Sequence, residues 1–298
     1  MMTLKNLENF APARIKALFG FTPQVLAEIL FVVLPELERR RTHRLANRPE
    51  RKRPPVPNDG KPRTVAPVQQ VLMALLYLRH NVSHEVVGSF FGFSADTSEN
   101  AFHDVVPLCR DLFPKEKWEA EKRWRKSEPN WTPDLVERTI IDSFETPIPR
   151  PSLNDRQKRV YSGKAKRHTL KTQVISEQNG DVLDVKPGFR GPAADVKIYN
   201  EFPPAPPVAD KPRLGDKAYV GAQPPVQTPV KKPKGGELTA EQKAANKQLS
   251  GQRVRVEHGI RKLKAFRILR DQYRHAMGLF PMVAAAVVGL IQFSRIVA

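Results

Sequence analysis

The sequence predicts an α/β chain in two parts, a helical region over residues 1–130 and a mixed sheet flanked by helices over residues 131–298. Three observations carry this reading. Between Thr22 and Asp111, apolar residues recur at helical spacing, and Thr22, Ser83 and Ser94 stand as capping residues before three of the runs. From Arg138 onward, short β-branched runs and an Asn-Gly turn replace them. A long amphipathic segment then opens at Thr239 and carries Glu257 at the border of its apolar stripe.

The first clear helix is predicted from Pro23 to Arg40, with Thr22 as N-cap, Pro23 at the first helical position and Phe21 placed to staple onto the following turn. Its apolar run, Val25 to Leu34, packs inward. Arg39 to Arg63 is basic and proline-rich, with Arg39-Arg40-Arg41, Arg51-Lys52-Arg53 and Pro54-Pro55. A solvated linker and a phosphate-contacting arm explain it equally well. Val68 to Leu78 reads as the next helix. Ser83 caps another that ends at Gly92, and Ser94 caps a third that reaches Asp111. Two helices joined through Gly92-Phe93-Ser94 predict a helix-turn-helix over about 68–111. Its second helix would offer Asp96, Thr97, Ser98 and Asn100 to a major groove, although plain helical packing gives the same pattern. Asp96 and Glu99 oppose tight phosphate contact there.

Lys115 to Asn130 is expected to be a charged connector. Arg138 to Ser143 reads as a short buried strand ending in a carboxylate, and Leu170 to Ser176 and Asp181 to Lys186 as two more, joined by a hairpin at Asn179-Gly180. Pro192 to Phe202 is a candidate helix, Arg213 to Tyr219 a short segment around Asp216, and Pro224 to Pro233 an extended run. Thr239 and Gln242 form a capping box for a helix continuing past Lys264, with a break expected at Gly251. Phe280 to Ile291 is the most apolar stretch. It falls short of the ~18–20 residues of a membrane span, and Gln292 and Arg295 follow, so a buried helix entered through Pro281 is expected.

Bulk properties narrow the function. The chain has 298 residues, 40% of them hydrophobic, which is enough for a substantial core, and a formal net charge of +19. That excess calls for a polyanionic partner, nucleic acid first. The one cysteine, Cys109, stands among apolar residues and excludes an intrachain disulfide and a cysteine-based zinc site. Met1 to Phe10 carries early charge and no long apolar core, against a secretory signal.

Three strands, a helix, a further strand and a long helix follow the order of a ribonuclease-H-like fold. In that order Asp142 lies on the first strand, Asp216 by the fourth and Glu257 on the late helix. Carboxylates converging from separate elements can hold two Mg²⁺ or Mn²⁺ ions about 3.5–4 Å apart, and hard oxygen donors do not suit zinc. On the late helix, Arg253, Glu257, Arg261 and Lys264 fall within a sector of roughly 80° beside Leu249, Val256, Ile260 and Leu263. The competing reading is an ion-paired amphipathic helix, since Arg253/Glu257 and Glu257/Arg261 are both i,i+4 pairs.

The motifs Tyr161 to Lys171 (YSGKAKRHTLK), Leu214 to Gly221 (LGDKAYVG), Lys231 to Lys243 and Arg253 to Leu269 (RVRVEHGIRKLKAFRIL) follow Asp142 and the Arg150-Pro151 pair in order. With them, the chain from Ile141 onward resembles the DDE transposases of bacterial insertion sequences and their Harbinger-like relatives. The resemblance implies metal-dependent cleavage of phosphodiester bonds at the ends of a mobile element and strand transfer into target DNA. Asp142, Asp216 and Glu257 would be the catalytic metal ligands for two Mg²⁺ or Mn²⁺ ions. Arg253 and Lys264 would contact DNA phosphate or steady the glutamate, with Arg261, Lys164, Lys166, Arg167 and Lys171 as further DNA contacts. His168 and His258 read as structural or DNA-facing. The implied partners are double-stranded DNA, as terminal inverted repeats and target, and further copies of the chain, in the cytoplasm with the nucleoid and without a membrane. The sequence departs from the family pattern at Ser143-Phe144 (for Gly-Thr), Ala194 (for His) and Ser250 (for Tyr). Asp195 competes as a ligand or caps a helix beginning near Pro192. A transposase-derived DNA-binding protein that no longer cuts is the alternative.

Overall fold

The computed structural model describes residues 9–47, 65–125 and 131–298, so the tail of the basic stretch (48–64) and the end of the connector (126–130) lie outside the described residues. The helical region comprises α1 (Pro12–Phe19), α2 (Pro23–Ala46), α3 (Pro67–His80), α4 (His84–Phe91), α5 (Ala95–Leu112) and α6 (Lys117–Trp124). Side-chain oxygens of Thr22, Ser83 and Ser94 each accept the backbone N–H three residues on, at 3.3 Å. These bonds satisfy donors that a helix start leaves open.

Two sequence expectations need correction here, the extent of α2 and the connector. Helix α2 runs past Arg40 to Ala46, so Arg39 to Arg44 belong to a helix and not to a linker. Ion pairs carry it beyond its apolar run: Arg39 and Arg40 meet Glu36, while Arg40 and Arg44 reach Asp111 and Asp104 of α5. Phe21 packs on the ring of Phe266, 5.5 Å away, across the chain. The connector contains α6, which buries Lys117, Ala120 and Glu121.

The second part contains β1 (Thr139–Pro147), α7 (Asn154–Val160), β2 (Tyr161–Ser162), β3 (Arg167–Glu177), β4 (Val182–Arg190), α8 (Asp195–Glu201), β5 (Arg213–Leu214), α9 (Ala240–Lys264), α10 (Arg267–Arg270) and α11 (Phe280–Val297). Strand β3 pairs antiparallel with β1, β2 and β4, and β5 joins the other edge of β1 in parallel. The result is a mixed sheet of ribonuclease-H-like order behind a helical bundle. Strand β1 continues beyond Ser143, because β3 pairs with it as far as Pro147↔Thr169, so Asp142 lies mid-strand. Helix α8 begins at Asp195 instead of Pro192, and the segment after β5 turns at once into a 3₁₀ turn, Lys217–Tyr219. Helix α9 is unbroken at Gly251: an exposed glycine costs a helix only about 1 kcal/mol, which its packed neighbours offset.

Alternation along β1 divides the core. Ile140 and Phe144 join a large cluster with Val256 and Leu263 of α9, α11 and the bundle, whereas Ile141 enters a smaller one with Ile175, Tyr199 and Tyr219. Strand β5 is held by the buried Arg213, whose Nε donates to Thr139 Oγ1 at 2.8 Å and whose Nη2 donates to the Val208 carbonyl at 2.9 Å. The helix from Met277 to Val297 is long and apolar enough to cross a membrane, longer than the sequence reading gave it. Its residues are instead packed between the sheet and the bundle.

The β3–β4 turn fixes where α9 lies. Gly180 adopts a positive φ of 84°, and a Cβ on it would stand 2.5 Å from the Arg255 carbonyl oxygen of α9. From the other side, Gly259 packs its bare Cα against the Gly180 carbonyl. Gly180→Ala is expected to lower stability by roughly 2 kcal/mol, through both strain and contact, read as a drop in the urea midpoint at unchanged slope. A midpoint within error of the parent would show that the turn does not seat the helix. Cys109 is fully buried in α5, and burial pushes its thiol up to about 12. The folded protein should therefore resist iodoacetamide at pH 8 and react fully in denaturant, as counted by mass spectrometry.

Candidate active site

The parallel pairing of β1 with β5 places the first two carboxylates. Ile140 and Leu214 are register partners, and β5 ends there. Asp142 and Asp216 each follow that pair by two residues, where β5 has ended, and are close enough for the charge of Asp216 to act on Asp142. Asp142 continues the face of Ile140, which is the face that α9 crosses. Here a cleft of about 840 Å³ opens, lined by Asp142, Ser143, Glu145, Lys171 and Asp195 from the sheet side and by Glu257, Arg261 and Lys264 from α9.

Asp142 is about a quarter exposed. One oxygen accepts the Ser143 N–H at 2.7 Å, and the other faces Arg253 at 3.7 Å. Burial raises its carboxyl above the ordinary range; the Ser143 N–H and Arg253 oppose that, and the charges of Asp216 and Asp195 add to it. Asp216 is turned toward its own chain, accepting the Ala218 N–H at 2.8 Å, and does not line the cleft. Glu257 is exposed at the mouth, without a hydrogen bond or ion pair among the described residues. The ion-paired helix expected from the i,i+4 spacing is thus not what forms, since Arg253 leaves Glu257 for Asp142 across the cleft.

Asp195 is the carboxylate most firmly held. Ser143 Oγ donates to it at 2.6 Å, and the Lys171 ammonium lies 3.2 Å from the same oxygen while donating to the Ala193 carbonyl at 2.6 Å. Lys171 is 6% exposed, so its charge is spent on the inner wall. Beneath, Gln173 lies within 3.4 Å of both the Asp195 carbonyl and the Tyr219 hydroxyl, and Tyr219, buried among Asp195, Asp142 and Asp216, is held protonated. Lys264 rests over the Phe144 ring at 5.2 Å, its ammonium pKa lowered by burial against the pull of Asp142 and Glu145. Lys164 lines the cleft, Lys166 and Arg167 are exposed beside it, and Arg261 is exposed on α9. His168 packs edge-on against Tyr161, 5.5 Å away, and His258 is half-buried outside the cleft lining. Sequence reasoning missed Ser143, Gln173 and Tyr219 as polar supports. The period of two along β1 put Ser143 on the face opposite Asp142, which was the available signal for it.

Among the described residues, no three side chains of ligand type are already gathered at metal distance. The donor set nevertheless fits a divalent ion. It consists of carboxylates alone, Asp142 is raised first by burial and then by the charges of Asp216 and Asp195, and Glu257 is free to close from the other wall. In the helix-turn-helix, Asp96 and Asn100 are exposed, whereas Ser98 is buried and bonded to His84 Nδ1 at 3.0 Å, which removes it as a base reader.

A mixed sheet of ribonuclease-H-like order that carries Asp142 mid-strand and is followed at β5 by Asp216, set behind a helix-turn-helix, is the architecture of an endonuclease. Residues 141–292 match the DDE superfamily endonucleases, and residues 64–115 match the helix-turn-helix of DDE superfamily endonucleases. A probable transposase for insertion sequence element IS702 from Microchaete diplosiphon is 31% identical over 235 residues, covering 75% of this chain and 79% of that protein. The chain belongs to the DDE superfamily endonucleases. No solved structure matches it.

Because the Asp142 carboxyl is raised, ionising it costs folding energy. Without divalent ions, that penalty is absent at low pH and grows as pH climbs from the ordinary aspartate range through the raised value. Asp142→Asn should therefore stabilise the metal-free protein at pH 7 by roughly 1 kcal/mol and bring no gain at pH 3, in thermal melts with EDTA. A variant less stable at pH 7 would mean that Arg253 more than compensates the charge.

Proposed function

We propose that the chain is a transposase that cuts phosphodiester bonds at the ends of its own mobile element and joins the freed 3′-hydroxyls to target DNA. The observation that supports this reading is the cleft in which Asp142 of β1 faces Glu257 of α9, with Asp216 two residues past the register pair Ile140↔Leu214 and near enough for its charge to act on Asp142. In this reading those three carboxylates hold two Mg²⁺ or Mn²⁺ ions, which supply activation of the attacking oxygen and stabilisation of the leaving oxygen. Asp195 keeps Ser143 and Lys171 in place behind Asp142. Lys164, Lys166, Arg167, Arg261 and Lys264 line the approach and orient the DNA backbone by its phosphates, and Arg253 passes between Asp142 and that backbone. Water attacks first and leaves a 3′-hydroxyl; that hydroxyl attacks the target strand, so no covalent protein–DNA link is required. Two element ends must meet, and more than one copy of the chain assembles on them, in the cytoplasm with the nucleoid.

The test is cleavage of a plasmid carrying the gene within its native flanks, with Mg²⁺, Mn²⁺ or EDTA. Metal-dependent cuts at the element ends are expected. Glu257→Gln and Asp216→Ala should each reduce them by at least a hundredfold while band-shift affinity for the flanks stays within about threefold. Specific binding without cutting by the parent protein would favour a binder that has lost its chemistry. Cutting that survives Asp216→Ala would move the site elsewhere.

A further inference from the structure

The basic wall of the cleft does not stop at Lys264. Past the end of α9 its lining continues through Ala265 to Arg270 of α10. Nη1 of Arg79, near the end of α3, donates to the Ala265 carbonyl at 2.7 Å, so the helical region reaches the cleft at this point. Three guanidiniums crowd here. Burial, and then the charge of Arg270, lowers the pKa of Arg79; burial lowers that of the adjacent His80, and the charges of Arg79 and Arg267 add to it. Among the described residues, Asp271 is the one carboxylate paired with any of the three. One of its oxygens accepts from Arg267 Nε at 2.6 Å and the other from Arg270 Nε at 2.8 Å. Three positive charges therefore meet one negative charge. Because both pairs use Nε, the terminal nitrogens of Arg267 and Arg270 donate no hydrogen bond among the described residues, and both side chains are about half exposed.

A guanidinium fixed at Nε keeps a planar pair of terminal N–H donors whose spacing matches two oxygens of a phosphate. One carboxylate that holds two such groups in place also spares part of the side-chain entropy that each would otherwise lose on binding. The direction of the wall is given by α9. Glu257, Arg261 and Lys264 succeed one another along it, and at a helical rise of ~1.5 Å per residue the wall runs roughly 10 Å before α10 is reached. That is the length of about three base pairs. We propose that Arg267 and Arg270, aligned by Asp271, bind phosphates of the duplex where it leaves the cleft past α10, so that DNA held for cutting runs on toward the end of α3. The inference deepens the proposed function, on which it rests, by assigning the exit of the DNA and two contacts there. Exposed ion pairs such as those with Asp271 contribute little to stability, so both arginines can be replaced without loss of the fold. Arg79 also holds the Ala265 carbonyl and is left intact for that reason.

The test is equilibrium binding of the full-length protein, over a range of salt, to a duplex of the element's native flank and to an unrelated duplex. Arg267→Gln and Arg270→Gln are compared with the parent and with Lys122→Gln, which removes an exposed charge of α6 outside the cleft lining. Each arginine variant should weaken binding to both duplexes about threefold to tenfold and lower the slope of log affinity against log salt by about 1, as the loss of one phosphate contact requires. Lys122→Gln should keep the parent slope. Neutral methylphosphonates, placed one at a time along the flank duplex, should weaken the parent at phosphates on one side of the cut and leave Arg270→Gln indifferent at one of them. Parent slopes in both arginine variants would overturn the contact. A slope that falls equally in Lys122→Gln would reduce the effect to net charge and overturn it too. Arginine variants that lose the slope in a parent background that never cuts would uphold these contacts while the proposed function fails, which keeps the two readings apart.

Discussion

Helix α11 is apolar on nearly every side, burying Val283, Val287, Leu290 and Phe293 together with the small residues between them, and a helix of that kind needs walls all round. The sheet supplies one wall through β4, and α5 and α6 supply the others. At about 1.5–3 kcal/mol for each large side chain, this burial is comparable with the whole net stability of a domain, ~5–15 kcal/mol. Packing at the seam is close: a Cβ on Gly289 would fall 1.7 Å from the Phe113 carbonyl oxygen, so only glycine lets α11 meet the end of α5. Gln292, the buried polar side chain of α11, donates to the Val182 carbonyl of β4. Helical region and catalytic sheet therefore share one core, and a force on the bundle is felt at β4.

From β4 the constraint passes to α9. The tip of the β3–β4 hairpin presents Asp181, a nearly buried carboxylate that meets Arg295 of α11 at 2.6 Å, Lys117 of α6 at 3.5 Å and Lys262 of α9 at 3.6 Å. Glu177 beside it accepts from Lys117 and from the Trp131 indole. Removing one member of such a network strands the others in a dry environment, which costs more than the network contributes. With Gly180 and Gly259 in contact just behind, α9 has little freedom to slide or rotate. The height of Glu257 above β1 is consequently set by the β3–β4 turn, which meets α9 at Arg255 and Gly259 on either side of it.

These relations explain what could be read from the sequence. Local signals were sufficient for Thr22, Ser83 and Ser94 as caps and for the Asn179-Gly180 hairpin. What could not be read depends on partners far along the chain. Helix α2 outruns its apolar pattern because Asp104 and Asp111 stand opposite Arg44 and Arg40. Arg253 seemed paired within its own helix until the sheet brought Asp142 within reach. Lys171, one of a run of surface-looking cations, is drawn inside by Asp195, and only the pairing of β3 with β1 makes that possible. Spacing along one element is legible; charge partners across elements are not.

The distribution of compensation among the carboxylates has a direction. At the inner wall Asp195 is fully engaged by Ser143 and by a buried ammonium. Midway, Asp142 has one guanidinium at a distance beyond a good hydrogen bond and neighbours of its own sign. At the mouth Glu257 stands in water. Asp142, buried and only partly compensated, is therefore the carboxylate with the greatest unmet demand. A divalent ion held there would offset the burial and the neighbouring charges that raise its carboxyl, and would compete with Arg253 for it. The freed guanidinium would be left on the face of α9 that Lys264 and Arg261 already make basic, at the point where an incoming phosphate backbone would need it. Metal entry and DNA docking would then favour each other through one side chain, with no movement of the sheet.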